Sequence, residues 1–220
     1  MEKTELNLKV TEDFLYSVMK KFHFGQEDRE LFRRIGAEVE AAVQKKAGFW
    51  CGDYGEKSQN PAVIALTLGA GVDELQERYA KEGLLTETYM AETIAGELLL
   101  AAYRSFNRWV EKKTGRHVAR YFFFGAQDTY PLGELPAALK MLGQQEVKCN
   151  RACCLTPKKS VVFLAELTEE ETVRCEGICM GCGRGDCPNR CEEADERERL
   201  RWPDLTDRAL PYGYARILGK

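Results

Sequence analysis

Between Leu6 and Leu167 the apolar positions follow two periods in turn, every second residue or every third and fourth, and each change of period marks an element. Leu6 to Val10 alternates and predicts an edge strand. Thr11, followed by Glu12 and Asp13, is a helix start with acids where the dipole favours them, and Gly25 is expected to end that helix. From Gln26 to about Ala47, the residues Leu31, Ile35, Val39, Ala42 and Val43 recur at helical steps. They make one apolar stripe, opposite Glu27, Arg34, Glu38 and Lys45, that should dock on a sheet. Phe49 to Asn60 holds two glycines and no period, and reads as a loop.

Ala62 to Leu68 is a continuous apolar run closed by Gly69-Ala70-Gly71, the pattern of a buried strand entering a turn, and a helix follows from Val72. After Gly83 the longest helix is predicted over Thr86 to Lys113, with Met90, Ile94, Leu98, Ala102, Phe106 and Trp109 on one side. Its Ala95-Gly96 pair suggests that another element approaches closely there. Gly115 closes the helix. Val118 to Phe124 is an aromatic, β-branched strand ending at Gly125, and a polar loop leads to a short helix near Leu132 to Leu142. Strands are expected at Glu146 to Cys149 and Ser160 to Leu167, joined by a Cys-rich segment. This alternation of strands and helices predicts an α/β or α+β layer over residues 1–168 as one domain. Residues 169–220 change character: five cysteines in seventeen positions, then eight charges between Glu192 and Arg201. They read as a small Cys-rich metal-binding element and a tail.

Composition narrows the chemistry. With 32 Lys+Arg against 35 Asp+Glu, the net charge of −3 offers no footprint for nucleic acid or an anionic membrane. No stretch is apolar for long enough to cross a bilayer, and the first residues hold no apolar signal core, so a cytoplasmic location is expected. In that reducing compartment the clustered ones among the nine cysteines are better read as metal ligands or redox groups than as structural bridges. Cys175, Cys179, Cys182, Cys187 and Cys191 stand two to four residues apart among glycines, which lets four thiolates converge on one ion. Cys149, Cys153 and Cys154 could add a donor from the body. Thiolate ligation suits both zinc and an iron–sulfur (4Fe–4S) cluster, and Cys179-x2-Cys182-x4-Cys187-Pro-x2-Cys191 leans towards the latter, being similar to a ferredoxin cluster loop.

Other chemistry is sparse. Gly69-x-Gly71 could face a phosphate at a helix N-terminus but is the weaker reading beside a plain turn. His23 and His117 have no neighbouring nucleophile, so no catalytic residue is assigned. Arg120, inside an otherwise apolar strand, must find a carboxylate or water: structural pairing is the default and a ligand's carboxylate the sharper alternative.

Four patches stand out together: Ala65-Leu66-Thr67-Leu68-Gly69-x-Gly71-Val72-Asp73; Ile94-Ala95-Gly96-Glu97; Arg120-x4-Gly125 with Pro131-Leu132 and Leu135; and Pro157-Lys158-Lys159-Ser160-Val161. In this order they resemble a known family, the S-adenosylmethionine-binding activation domain of cobalamin-dependent methionine synthase, and more closely its short stand-alone relatives in anaerobic bacteria. The resemblance implies an α+β fold, a twisted antiparallel sheet flanked by helices. It also implies an accessory, reactivating role in corrinoid-dependent methyl transfer. In the synthase this domain presents S-adenosylmethionine to the inactive cobalamin, where methylation traps an incoming electron. Arg120 would hold the methionine carboxylate and Gly125 would let the backbone approach. The partner would be a corrinoid protein or corrinoid methyltransferase carrying the cobalamin. The stand-alone relatives often end in a Cys-x2-Cys-x4-Cys-x2-Arg element, reproduced by Cys179, Cys182, Cys187 and Arg190. Three family positions are changed, to Ala126, Leu100 and Arg151. The alternative function is a metal-stabilised scaffold that has lost the ligand.

Overall fold

The computed structural model describes residues 2–53, 61–126, 129–170 and 175. In chain order the elements are β1 (Thr4–Glu5), α1 (Glu12–Lys21), α2 (Arg29–Val43), β2 (Gly48–Asp53), β3 (Ala62–Thr67), α3 (Gly71–Lys81), α4 (Leu85–Thr114), β4 (His117–Phe123), α5 (Leu135–Met141), β5 (Lys148–Cys149), β6 (Leu155–Thr156) and β7 (Ser160–Thr168). The fold is α+β, with a five-stranded antiparallel sheet in the order β1-β2-β3-β7-β4. The chain divides into two units, residues 1–178 and 179–220; the second lies outside the described residues. Among the described residues no helix is long and apolar enough to cross a membrane.

Local chemistry sets most of the boundaries. Thr11 accepts the Phe14 N–H at 3.2 Å and starts α1 where expected. That helix stops before Gly25, at a left-handed His23 with φ of 60°. On α2 the buried stripe is Phe32, Ile35, Val39 and Val43, with Leu31 only half-buried. Ile35, Val39 and Val43 of the predicted stripe are thus buried as expected, while Phe32, with the larger apolar surface to bury, takes the place of Leu31. The short helix predicted near Leu132 begins as a 3-10 turn over Leu132–Glu134 before α5.

Two expected strands and one expected loop differ. Leu6 and Leu8 are buried, but their segment has no ladder beyond the Leu6 N–H to Ala47 O bond of 3.0 Å; the strand is Thr4–Glu5. The alternation there records side-chain burial against a backbone held by side chains, Val10 N–H going to Glu40 Oε2. The start of the predicted 49–60 loop is β2, which pairs with β1 on one side and β3 on the other. Gly48 and Gly52 hid it, and Gly48 is required there, since a Cβ would lie 2.7 Å from Thr4 O. The strand predicted over Glu146 to Cys149 shrinks to β5, which pairs only with β6 in a separate two-stranded ribbon.

The sheet is covered on both faces, which explains why β3 is buried throughout. On one face α4 sets Phe106 edge-on to Phe49 and Phe163, with ring centroids 5.2 and 5.6 Å apart. Tyr103 packs there on Tyr121 and Phe163. On the other face Trp50, Val63, Ala65, Val162 and Leu164 pack with Phe124 and with Leu135, Ala138 and Leu139 of α5, and Phe122, Tyr130, Cys149 and Cys153 lie against that cluster.

Candidate functional site

Arg120 stands on the α5 face. In the β4–β7 ladder it is opposite Glu166, next to the Phe122–Leu164 pair, just after a register shift between Val118 and Arg120. Its guanidinium lies over the Phe122 ring at 5.7 Å. Phe122 in turn packs on Tyr130 at 5.4 Å, and Tyr130 also meets Phe124 edge-on. Burial, then the negative charges of Glu166 and Glu134, push the Tyr130 phenol above its ordinary pKa. Arg120, Phe122, Tyr130, Glu134 and Glu166 are therefore one neighbourhood. Its positive fork suits a ligand carboxylate, with Glu166 as the internal competitor.

Gly125 has φ of +82° and gives its N–H to Tyr130 O at 2.8 Å, so it closes the turn that carries Tyr130 over the sheet. A Cβ on Gly125 would meet Leu132 Cβ at 3.0 Å. The glycine is thus fully used by the turn: its bare side faces Leu132, and no ligand is needed to account for it.

Two of the other three resemblance patches, Ala65 to Asp73 and Pro157 to Val161, meet at the adjoining end of the sheet. Thr67 Oγ1 and Ser160 Oγ are 2.7 Å apart, and Thr67 Oγ1 also accepts the Gly69 N–H. Leu68 N–H bonds to Lys159 O, and Lys158 N–H bonds to Asp73 Oδ2, both at 2.9 Å. Lys159 Nζ reaches Glu92 Oε1, while Gln76 holds Glu92 Oε2 at 2.7 Å. Burial raises the Glu92 carboxyl, but the hydrogen bonds from Lys159 and Gln76 and the charges of Lys159 and Lys158 outweigh it and hold it below the ordinary carboxylate range. At the start of α3, a Cβ on Gly71 would lie 2.3 Å from Ala42 O, so that glycine serves helix packing and the phosphate reading of Gly69-x-Gly71 loses its support. Gly96 has nothing within 4 Å of such a Cβ, so the expected close approach does not occur there.

Of the five expected metal-site cysteines, Cys175 is described; Cys179, Cys182, Cys187 and Cys191 lie outside the described residues. Cys175 is buried, its N–H bonded to Val118 O and its carbonyl to Asn107 Nδ2, both at 2.8 Å. Asn107 Oδ1 accepts from the Tyr121 hydroxyl. Asn107 is not among the residues expected from the sequence; its signal there is a polar residue on the apolar side of α4, one turn beyond Tyr103. Among the described residues no three His, Cys, Asp or Glu side chains are grouped to hold a metal, so the trio Cys149, Cys153 and Cys154 is not a metal centre by itself. Cys51 is unsuited to reactive chemistry: burial, then Asp53, pushes its thiol up to about 11.

A cleft of about 340 Å³ opens between α1 and the start of α2, lined by Tyr16, Met19, Phe24, Phe32, Arg29 and Arg33 among others. None of the expected site residues lines it. Three of its charged groups pair within it, Glu12 with Arg33 at 2.7 Å and with Arg29 at 3.9 Å, and Arg33 also reaches Glu30 at 2.8 Å. No protein-family model and no curated protein matches this chain.

Proposed function

We propose that this protein is an accessory, reactivating component of corrinoid-dependent methyl transfer, binding S-adenosylmethionine, a corrinoid protein, or both. The observation that carries the reading is a convergence. The strand-to-helix turn at Thr67 to Asp73, the segment Pro157 to Ser160 and the turn at Gly125 to Leu132 are far apart in sequence. The pairings Thr67–Ser160 and Phe123–Phe163 bring them to one end of the sheet. These are three of the four stretches in which the sequence resembles the activation domain.

Within this reading Arg120 holds the ligand carboxylate, and the aromatic rings of Phe122 and Tyr130 exclude water beside it. S-adenosylmethionine would supply a methyl group to a cobalamin carried by the partner. A thiolate-bound centre at Cys179, Cys182, Cys187 and Cys191 would supply one-electron chemistry if it is iron–sulfur, and only rigidity if it is zinc.

Calorimetry with S-adenosylmethionine on wild type and Arg120→Ala tests the pocket. Binding heat that vanishes in the variant is expected; no heat with wild type removes the ligand. Pull-down with a corrinoid methyltransferase then tests the partner, and metal and sulfide analysis of anaerobically purified protein tests the centre. The arrangement of Glu166 opposite Arg120 favours a second reading, a metal-stabilised scaffold in which that pair is purely internal. A folded, metal-loaded protein that binds neither ligand nor corrinoid partner would establish it.

A further inference from the structure

The β5–β6 ribbon carries three thiols in six residues, and its geometry is specific. Asn150 N–H bonds to Cys154 O at 3.1 Å, closing a three-residue loop of Arg151, Ala152 and Cys153. Cys153 N–H returns to Asn150 O, and Asn150 Oδ1 accepts from the N–H groups of Ala152 and Cys154. In such loops the last position is left-handed and glycine is its usual occupant. Here it is Cys153, with φ of 60°. A β-carbon in that conformation costs on the order of 1 kcal/mol, so the loop keeps a thiol at a position where glycine would fold more easily.

Cys149 stands two residues before the loop, at the end of β5, and Cys153 is the loop's last residue; both side chains lie against the same apolar cluster beneath the ribbon. The two groups feel each other: burial, then Cys153, raises the Cys149 thiol above its ordinary pKa. Cys153 Sγ also approaches Leu132 O at 3.5 Å, in the segment that packs on Gly125. Cys154 points elsewhere and is exposed.

We infer that Cys149 and Cys153 form a reversible disulfide pair, oxidised by exchange with a low-molecular-weight disulfide such as oxidised glutathione. The Cys153 thiolate attacks one sulfur of that disulfide and expels one thiolate, leaving a mixed disulfide on Cys153. The Cys149 thiolate then attacks Cys153 Sγ, forming the Cys149–Cys153 bond and expelling the second thiolate. The pair loses two electrons, and its two protons leave with the two released thiols. Oxidation removes the S–H that points at Leu132 O, loosening the ribbon's hold on the Gly125–Leu132 turn. This inference needs neither S-adenosylmethionine nor a metal.

The experiment is to equilibrate the full chain in glutathione buffers of graded potential, alkylate, digest with trypsin and analyse the peptides by mass. Cleavage after Arg151 separates Cys149 from Cys153, so their disulfide joins two peptides, whereas a Cys153–Cys154 bond stays within one. The Cys154→Ser variant should give the joined pair, its ratio to open chain rising tenfold for each tenfold rise in oxidised glutathione over the square of reduced glutathione. Cys153→Gly, which suits the left-handed position, should fold normally and give no joined pair. Both thiols remaining separately alkylated at every potential, or Cys149 joined instead to a cysteine beyond residue 170, would overturn the inference.

Discussion

Asn107 holds Cys175 by its backbone, donating from Nδ2 to the Cys175 carbonyl at 2.8 Å, while its Oδ1 takes the Tyr121 hydroxyl. Both ends of the amide are thus used in a buried site, so its orientation is fixed by its partners. The contact fastens residue 175 to the outer edge of β4, where the Cys175 N–H also meets Val118 O. Asn107→Leu withdraws a partner from two buried polar groups and should cost about 3 kcal/mol in urea unfolding. Cys175→Ala keeps the backbone bonds and should cost about 1 kcal/mol. Equal losses for the two variants would mean that the thiol, not the amide, holds the segment.

Glu92 links α3 and α4 to the segment before β7 through Gln76 and Lys159, and its carboxyl is held below the ordinary value. A group whose folded pKa is depressed adds stability above its unfolded pKa and loses it as pH falls through the folded one. The Glu92 contribution should therefore be complete at neutral pH and fade in acid below the ordinary value of 4.5. Because the Glu92 side chain is half exposed, Glu92→Gln should cost only about 1 kcal/mol at neutral pH. Unfolding curves of the two proteins should converge as the pH is lowered. A constant gap down to strongly acidic pH would contradict the assignment.

Two helical glycines should respond to alanine in opposite directions. Gly96 lies inside α4 with open space where a Cβ would go, so Gly96→Ala should stabilise by about 1 kcal/mol through helix propensity alone. At Gly71 the same methyl would lie 2.3 Å from Ala42 O, and the backbone of α2 or α3 would have to move. Gly71→Ala should lower stability by about 2 kcal/mol. Thermal melts of both single variants suffice, and a destabilised Gly96→Ala would show that the helix meets a neighbour there after all.

What the sequence disclosed follows from which forces are local. The Thr11 cap, the Gly115 stop and the stripe from Met90 to Phe106 are written in residues a few positions apart, and they were legible. β2 was not, because its evidence is mutual: Gly48 looks like a loop residue until the Thr4 carbonyl lies against it. β5 read as a longer strand and β6 as part of a Cys-rich connection, because the closure of their ribbon depends on the Asn150 side chain and a left-handed Cys153. In the candidate site, Arg120 announced itself as a charge in an apolar strand. Its setting did not, since Glu166 and Tyr130 reach it only through the ladder and the Gly125 turn.

That setting makes the ligand claim unusually easy to test, because the residue expected to bind a carboxylate already faces one. If Arg120 serves only the fold, removing its charge or that of Glu166, opposite it in the ladder, costs the small amount typical of partly exposed charges, below about 1 kcal/mol. If Arg120 holds a ligand carboxylate, Glu166 competes for the same guanidinium, and the two substitutions must diverge. Arg120→Ala should then weaken S-adenosylmethionine binding by roughly ten- to a hundredfold, the loss of a charge-assisted hydrogen bond. Glu166→Gln keeps the size and removes the competing charge, so it should bind more tightly than wild type. It should also lower the Tyr130 phenol pKa, since Glu166 is one of the charges that raise it, and ultraviolet titration can read this without any ligand. Weaker binding in both variants, with the Tyr130 titration shifted as expected, would mean that Glu166 positions Arg120 and does not compete with the ligand.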